Sequence, residues 1–233
     1  MIEIPKYPHA NYDSKEMFGY LAYYYPHNKV SNDQMDLWRY QSYSPDILNF
    51  KEGAEEHIKF FVRPFCILIQ YALSFLKKRE AFLVPTPSSI AGNDPNFKTT
   101  PRKKGDVRNR DNRNIIFCSL INIEDNNLKV SDILFRSKGK VEKIQWKKEE
   151  HKESLQIRHN QGLTTNHQFS GEMILIDDVV TSGNTMLGAK LRLEEIYPYA
   201  KIIRLSISKT KDLSGMSPIY GQLLSIKRCV KVR

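Results

Sequence analysis

Two adjacent carboxylates followed by hydroxyl side chains are the residues of this chain whose types and spacing best suit chemistry. Asp177 and Asp178 come directly after the apolar run 173–176, and the segment 181–185 (TSGNT) follows two residues later. Carboxylates accept hydrogen bonds from neighbouring sugar hydroxyls, whereas threonine and serine hydroxyls can donate to phosphate oxygens. Gly183 allows the backbone to approach a ligand closely. The segment therefore offers acceptors for a sugar and donors for a phosphate, which together fit a ribose 5-phosphate.

The surrounding sequence predicts that this segment lies at the edge of a parallel sheet. Residues 173–176 form a buried strand, an amphipathic helix follows over 185–197, and residues 201–207 form the next strand. Strand, helix and strand in this order make a βαβ unit with parallel strands. Ligands of such sheets bind beyond the carboxyl ends of the strands, where a helix N-terminus attracts anions. We therefore predict an α/β fold with a mainly parallel sheet flanked by helices.

The first 80 residues predict a helical N-terminal addition, a hood or partner surface, ahead of an α/β domain over 81–233. Asp13 followed by Glu16 resembles a capping box and predicts a helix over 13–25. The apolar periodicity of 54–78 predicts a long helix with one buried face. After it, the sequence AFLVPTPSS predicts a short strand that ends in a loop, because prolines do not continue a central strand.

The composition excludes several classes of protein. With 40% hydrophobic and 27% charged residues, the chain is typical of globular proteins. The longest apolar run, 60–76, contains Arg, Pro and Gln and is shorter than the roughly 20 residues of a membrane span, so we expect a core helix. Its three cysteines lie far apart, which predicts neither zinc nor a disulfide framework. The N-terminus has no apolar leader, so we expect a cytoplasmic protein.

The net charge of +10 is concentrated in two segments. Residues 98–113 carry seven Lys or Arg against two Asp, and residues 227–233 carry four basic residues and no acid. Localised charge of this kind indicates an anionic partner at defined places, and nucleic acid is one candidate. His151 and His159 have no third ligand at metal-binding spacing, so we expect them to be surface histidines.

The acidic segment resembles the 5-phosphoribosyl 1-diphosphate (PRPP) signature of type I phosphoribosyltransferases. An apolar strand, two acids, two aliphatic residues and T-[ST]-G-x-T match that signature at every position. The resemblance implies the type I phosphoribosyltransferase fold, with the two acids on the ribose 2- and 3-hydroxyls and the turn on the 5-phosphate. The PRPP-binding residues so implied are Asp177, Asp178, Val179, Val180, Thr181, Ser182, Gly183, Asn184 and Thr185, joined by Thr86, Pro87 and Ser88, whose loop is placed to face the pyrophosphate.

Thr181 bears on the subfamily. Purine-salvage enzymes for 6-oxopurines carry an Asp at this position, whereas orotate-type and ComF-like members carry a Thr, as here. The sequence VPTPSS, which begins at Val84, is similar to the VPVP loop of the ComF family. The segment 136–160 is similar to that family's Arg, Gln and R-x-x-N pattern. The whole resemblance covers roughly 82–210.

The resemblance implies transfer of ribose 5-phosphate from PRPP to a nitrogenous acceptor, with Mg²⁺ held through PRPP rather than by protein ligands. The basic segment would supply a lid, so that the catalytic candidates are Asp177, Asp178, Arg102, Lys103 and Lys104. The same segment could instead contact a phosphate backbone. A non-catalytic sensor of PRPP or a nucleotide, or a ComF-like accessory protein acting with DNA or RNA, therefore stays an alternative. The acceptor and the oligomeric state, including a homodimer, stay open.

Overall fold

The structure is a computed structural model that describes residues 10–30, 32, 35–87, 112–137, 147–157 and 170–211. The described strands are β1 (Asn11–Asp13), β2 (Phe18–Tyr24), β3 (Ala81–Pro85), β4 (Leu128–Val130), β5 (Leu134–Arg136), β6 (Leu155–Ile157), β7 (Glu172–Val180) and β8 (Lys201–Thr210). The described α-helices are α1 (Met35–Gln41), α2 (Ser44–Lys51), α3 (Glu55–Phe75), α4 (Arg113–Glu124), α5 (Lys148–Glu153) and α6 (Asn184–Ile196). A short 3₁₀ turn spans His27–Lys29.

Six strands form one sheet in the order β1-β2-β8-β7-β3-β4. All neighbouring pairs are parallel except β1 and β2, which are antiparallel. Strands β5 and β6 form a separate antiparallel pair. Because parallel strands end at the same edge, the carboxyl ends of β2, β3, β4, β7 and β8 lie side by side. The predicted α/β class, with a mainly parallel sheet flanked by helices, is confirmed.

Helices cover both faces of this sheet, as the apolar alternation of β7 requires. Ile174 and Ile176 belong to one core cluster, which residues of α2, α3 and α4 complete. Met173 and Leu175 belong to a second cluster, which residues of α6 and the β5–β6 pair complete. A strand buried on both faces is almost continuously apolar, which explains why the segment before the acids is uninterrupted by polar residues.

The long helix α3 is a core helix. By length and composition alone it is the one described helix that could cross a membrane, but half of its apolar window is buried inside the protein. Ile58, Phe61, Phe65 and Leu68 lie on its buried face in steps of three and four residues. Pro64 lies inside the helix without ending it. The packing confirms the buried helix that the periodicity of 54–78 predicts.

The helix predicted over 13–25 is wrong, because this segment contains the β1–β2 strand pair. The Asp13 carboxylate accepts hydrogen bonds from the backbone N–H groups of Lys15 and Glu16, at 2.9 and 3.2 Å, and so closes a turn instead of capping a helix. Strand β2 then pairs along its length with β8. Arg204 of β8 donates from its side chain to the Glu16 carbonyl at 2.8 Å. Among the described residues, α-helix begins only at Met35, and the domain boundary at residue 80 stays a prediction.

The βαβ unit around the acids is confirmed, with both strands longer than predicted, since β8 ends at Thr210 instead of residue 207. Strand β7 continues four residues beyond the predicted end at Ile176, to Val180. The reason is pairing with β8, which extends from Glu172 opposite Lys201 to Val180 opposite Lys209. The two acids therefore belong to the strand itself and are held by its backbone hydrogen bonds.

Helix α5 lies against α6 at an unusually close distance. A Cβ on Gly188 of α6 would lie 2.5 Å from the Lys148 carbonyl oxygen and 2.8 Å from the Lys152 backbone nitrogen. Real Cβ atoms do not approach backbone this closely, so glycine is required for the contact. Lys152 also forms an ion pair with Glu195 of α6. Together these contacts hold α5 along α6, from Gly188 to Glu195 near its C-terminal end.

The substitution Gly188→Ala should lower the free energy of unfolding by about 1–3 kcal/mol, because the added methyl group forces α5 away from α6. Helix propensity alone would favour alanine by about 1 kcal/mol, so a loss of stability reports on the clash. Urea unfolding measures the change, and Lys190→Ala in the same helix is the control, with an expected change below about 0.5 kcal/mol. A Gly188→Ala variant as stable as wild type would contradict the close packing.

Candidate functional site

The two acids at the end of β7 turn to different sides of the strand, as successive residues of a strand do. Asp178 is buried, with 5% of its surface exposed, and faces α4 and α2. Asp177 is partly exposed and faces Thr86 at the end of β3. A ligand at this edge of the sheet therefore meets Asp177 first.

Asp178 forms a close ion pair with Arg113, the first residue of α4. Its Oδ2 atom accepts from Arg113 Nη2 at 2.7 Å and from Arg113 Nε at 2.8 Å, and its Oδ1 atom accepts from the Val179 backbone N–H at 2.7 Å. Burial alone would raise the pKa of Asp178, but the charges of Arg113 and Lys51 outweigh it and hold that pKa below its ordinary value. Asp178 is therefore ionised at neutral pH.

Asp177 has a different environment. Burial, followed by the charge of Asp178, raises the pKa of Asp177 to about 7, although the hydrogen bond from Thr86 opposes the rise. Thr86 Oγ1 lies 2.8 Å from Asp177 Oδ1 and 2.9 Å from the Ile176 carbonyl oxygen, and a hydroxyl has one proton for these two acceptors. Asp177 therefore changes its charge near neutral pH, while its neighbour does not.

Asn114, the second residue of α4, holds Thr86 in place. Its Nδ2 atom donates to the Thr86 carbonyl oxygen and to Thr86 Oγ1, both at 3.1 Å. Its buried Oδ1 atom has no hydrogen-bond partner in the described part of the chain. The start of α4 therefore supports both acids, with Arg113 acting on one directly and Asn114 acting on the other through Thr86.

The turn after β7 leads into the N-terminus of α6. Thr181 and Ser182 are exposed, and Gly183 precedes the helix with φ +80° and ψ −4°, a conformation that glycine adopts without strain. No side chain caps the helix, although Ser182 Oγ lies 3.4 Å from the Asn184 backbone nitrogen. The first backbone N–H groups of a helix lack intrahelical partners and attract anions. The turn can therefore bind a phosphate beside the acids.

The structure brings most of the predicted PRPP-binding residues to one edge of the sheet. Strand β7 and the turn after it carry Asp177, Asp178, Val179, Val180, Thr181, Ser182, Gly183, Asn184 and Thr185, and Thr86 and Pro87 lie beside them at the end of β3. Ser88, Arg102, Lys103 and Lys104 lie outside the described residues, as do nearly all of 98–113, Arg158, Asn160 and 227–233. Their roles stay predictions.

Sequence reasoning missed three supporting residues and misplaced one. Arg113 belongs to the basic segment, Asn114 follows it, and Arg136 opens the segment 136–160. The sequence assigns no supporting role to any of the three, because their contacts are tertiary. The expectation that His151 lies at the surface is wrong, because only 3% of this residue is exposed and it lies under α6. Its charged neighbours in KEEHKE predict a solvated helix, and only the close contact of α5 with Gly188 buries it.

The described part of the chain contains no cluster of side chains that suits metal binding and no activated cysteine. Within those residues, no three His, Cys, Asp or Glu side chains form a group that could hold a metal ion. Cys66 and Cys118 are free but buried, and burial raises the pKa of both, that of Cys66 to about 12. Thiolate, not thiol, is the nucleophile, so neither side chain is activated for attack.

Comparisons with known proteins add little. No protein-family model matches the chain, and no curated protein is similar to it in sequence. Similar solved structures include the adenine phosphoribosyltransferase of Saccharomyces cerevisiae complexed with D-2,5-dideoxy-2,5-imino-altritol 1,6-bisphosphate and adenine, at 12% identity and a TM-score of 0.38, over 68% of this chain and 71% of that one. Another adenine phosphoribosyltransferase structure matches at 14% identity and a TM-score of 0.35, over 66% and 72%. TM-scores this low do not identify a relationship, so the fold class is assigned from the sheet topology.

The substitution Asp177→Asn should raise the free energy of unfolding at pH 8 by on the order of 2 kcal/mol. The unfolded carboxyl loses its proton near pH 4, whereas the native one keeps it to about pH 7. Ionisation of Asp177 therefore costs native stability progressively as the pH rises from about 4 to 7, and the asparagine removes that cost. Urea unfolding at pH 8 and at pH 4.5 measures the effect, which should be nearly absent at the lower pH. A difference independent of pH would contradict the assignment.

The substitution Asp178→Asn should have the opposite effect and lower the free energy of unfolding at pH 7 by about 2–4 kcal/mol. The reason is that Arg113, whose side chain is 15% exposed, loses the carboxylate that neutralises it. Urea unfolding measures the loss, with the exposed Asp36→Asn as the control. Equal stability of the two variants would show that the ion pair contributes little.

Proposed function

We propose that the protein is a phosphoribosyltransferase that binds PRPP with Mg²⁺ and transfers ribose 5-phosphate to a nitrogenous acceptor, with release of pyrophosphate. The observation that carries this proposal is the juxtaposition of two acids with unequal environments and an uncapped helix N-terminus, separated by one turn of chain at the carboxyl edge of a parallel sheet. Ribose hydroxyls suit the former and a phosphate suits the latter.

Asp177 is the acid open to the sugar. It is partly exposed, and as a carboxylate it accepts hydrogen bonds from ribose hydroxyls. Asp178 holds the start of α4 in place through its ion pair with Arg113. We also propose that Asp178 contacts a ribose hydroxyl. The pKa of Asp177 is raised to about 7 in the free protein. A ribose hydroxyl that donates to the carboxylate would favour its ionised form and so lower this pKa on binding.

The segment 181–185 would hold the 5-phosphate. Its exposed hydroxyls belong to Thr181 and Ser182, and its backbone N–H groups open the helix α6. Thr181 Oγ1 also lies 3.3 Å from Thr210 Oγ1 at the end of β8, which links the turn to the neighbouring strand. This contact restrains the Thr181 side chain before a ligand arrives, which lowers the entropic cost of binding through it.

Mg²⁺ fits this site as a companion of PRPP. Asp178 is already neutralised by Arg113, which leaves the oxygens of PRPP as the donors for a hard cation. In the proposal, Mg²⁺ is held through the ligand's own oxygens and supplies charge neutralisation for the departing pyrophosphate. The protein residues position the sugar and the phosphate around that reaction.

A PRPP or nucleotide sensor that acts with nucleic acid is the second candidate, favoured by one surface near the same edge. Lys211 Nζ lies 4.5 Å from the ring centre of the partly exposed Tyr23, and the exposed Lys209 lies two residues before Lys211. Adjacent lysine and aromatic side chains are typical of surfaces that bind phosphate backbones and stack on bases. A ComF-like accessory role with DNA or RNA belongs to this second class.

Calorimetric titration of PRPP with Mg²⁺ should show binding to the wild type and at least a tenfold loss of affinity for Asp177→Asn, since a hydrogen bond to a charged group is lost. Glu56→Gln is the control, because that side chain is 85% exposed on α3, and it should bind as wild type does. Absence of PRPP binding to a folded wild type would contradict the proposal.

A pyrophosphate-release assay then separates the two candidates. It is run with a panel of nitrogenous bases, both purines and pyrimidines. Base-dependent release supports the enzyme. Binding of PRPP without release for any base, together with salt-sensitive binding of DNA or RNA, supports the sensor.

A further inference from the structure

A buried polar cluster lies beneath the turn that leads into α6. Arg136, His151 and Ser154 are 3%, 3% and 4% exposed. Arg136 Nη1 donates to Ser154 Oγ at 2.6 Å, and Ser154 Oγ lies 2.8 Å from the His151 carbonyl oxygen, to which it donates. Burying polar groups costs free energy unless they are paired, and the contacts within this cluster offset that cost.

The contacts of Arg136 fix the protonation form of the His151 ring. Arg136 Nη2 lies 3.4 Å from His151 Nδ1. A guanidinium has five donors and no acceptor, so Nδ1 must accept and the ring proton of the neutral imidazole lies on Nε2. Nε2 lies 3.5 Å from Thr185 Oγ1, a long contact in which the ring N–H is the donor. The direction of donation therefore runs from Arg136 to His151 and from His151 to Thr185.

This direction determines what the Thr185 hydroxyl can do. A hydroxyl accepts with its lone pairs and donates with one proton. Since His151 supplies a donor to Thr185 Oγ1, the proton of Thr185 is not used on the imidazole. It is available to an acceptor in the turn, where Thr185 is the second residue of α6 and is partly exposed.

The close packing of α5 on α6 keeps this arrangement in register. The virtual Cβ of Gly188 lies 2.6 Å from His151 Cβ, so the histidine backbone is placed directly against α6. Thr185 is three residues before Gly188 and thus lies on the same face of the helix. Thr185 and Gly188, which are about one helical turn apart, therefore both contact His151.

Arg136 also connects this cluster to the acid pair. Burial lowers the pKa of Arg136 to about 10, and the charge of Asp177 opposes that decrease. Arg136 thus places positive charge on the side of β7 opposite to Arg113, near the acid that faces the ligand.

We propose that His151 is a positioning residue that donates from Nε2–H to Thr185 Oγ1 and thereby directs the Thr185 hydroxyl proton towards the phosphate of a bound ribose 5-phosphate. This inference rests on the proposed function and deepens it, because it assigns a residue outside the 177–185 segment to phosphate recognition. His151 itself does not touch the ligand.

The first test measures the protonation form directly. Long-range ¹H–¹⁵N correlation spectra of the imidazole rings, assigned to His151 by comparison with His151→Gln, should show a neutral ring with its proton on Nε2. A proton on Nδ1, or a doubly protonated ring at neutral pH, would overturn the inference whatever the ligand.

The second test measures binding of ribose 5-phosphate by calorimetry. His151→Gln places an amide N–H near the position of Nε2 and should bind within about threefold of wild type, whereas His151→Phe should lose about tenfold. In the Thr185→Val background, His151→Phe should cause no further loss, because the hydroxyl it positions is gone. His57→Gln, on α3 at the other face of the sheet, is the control.

Independent losses from Thr185→Val and His151→Phe would overturn the inference, as would equal binding by His151→Phe and wild type. If His151→Phe does not fold, a His151→Gln variant that folds but loses tenfold affinity would also overturn it. A wild type that binds neither ribose 5-phosphate nor PRPP would reject the proposed function and the inference together. Normal PRPP binding with no effect at His151 rejects the inference alone.

Discussion

The ionisation of two adjacent carboxylates at the end of one strand is the constraint on which the site depends. Two like charges this close, and shielded from bulk water, require compensation. The protein compensates them unequally: Asp178 is buried and faces Arg113 and Lys51, whereas Asp177 is partly exposed and faces the hydroxyl of Thr86. One strand end therefore presents one carboxylate of constant charge and one whose charge responds to its surroundings.

The same constraint explains why the first turn of α4 lies where it does. Its first two residues, Arg113 and Asn114, act on the two acids, one through an ion pair and the other through Thr86. Ion pairs in low dielectric depend strongly on geometry, so a shift of this helix end would change both acids at once. The segment directly before α4 in the sequence is the basic one.

The parts of the fold and site that the sequence predicts are those whose signals are local. The segment 177–185 is contiguous, and the apolar patterns of the flanking strand and helix can be read without knowing any tertiary contact. Strand β2 is different, because its closely spaced aromatic residues fit a helix or a strand equally, and only its pairing with β8 decides. The burial of His151 likewise depends on a glycine 37 positions later in the sequence. Ligand contacts at the predicted positions stay predictions.

The pairing of β2 with β8 also bears on how the protein folds. Arg204 contacts the Glu16 carbonyl across 188 residues of sequence, and the interior position of β8 in the sheet depends on this late contact. Closing so long a loop is entropically costly before it is rewarded, which makes folding slow. During synthesis, β2 and its antiparallel neighbour β1 leave the ribosome long before β8 exists, so the edge of β2 that pairs with β8 stays open. Until β8 arrives, the hydrogen-bonding edges of both β2 and β7 are open to incorrect partners.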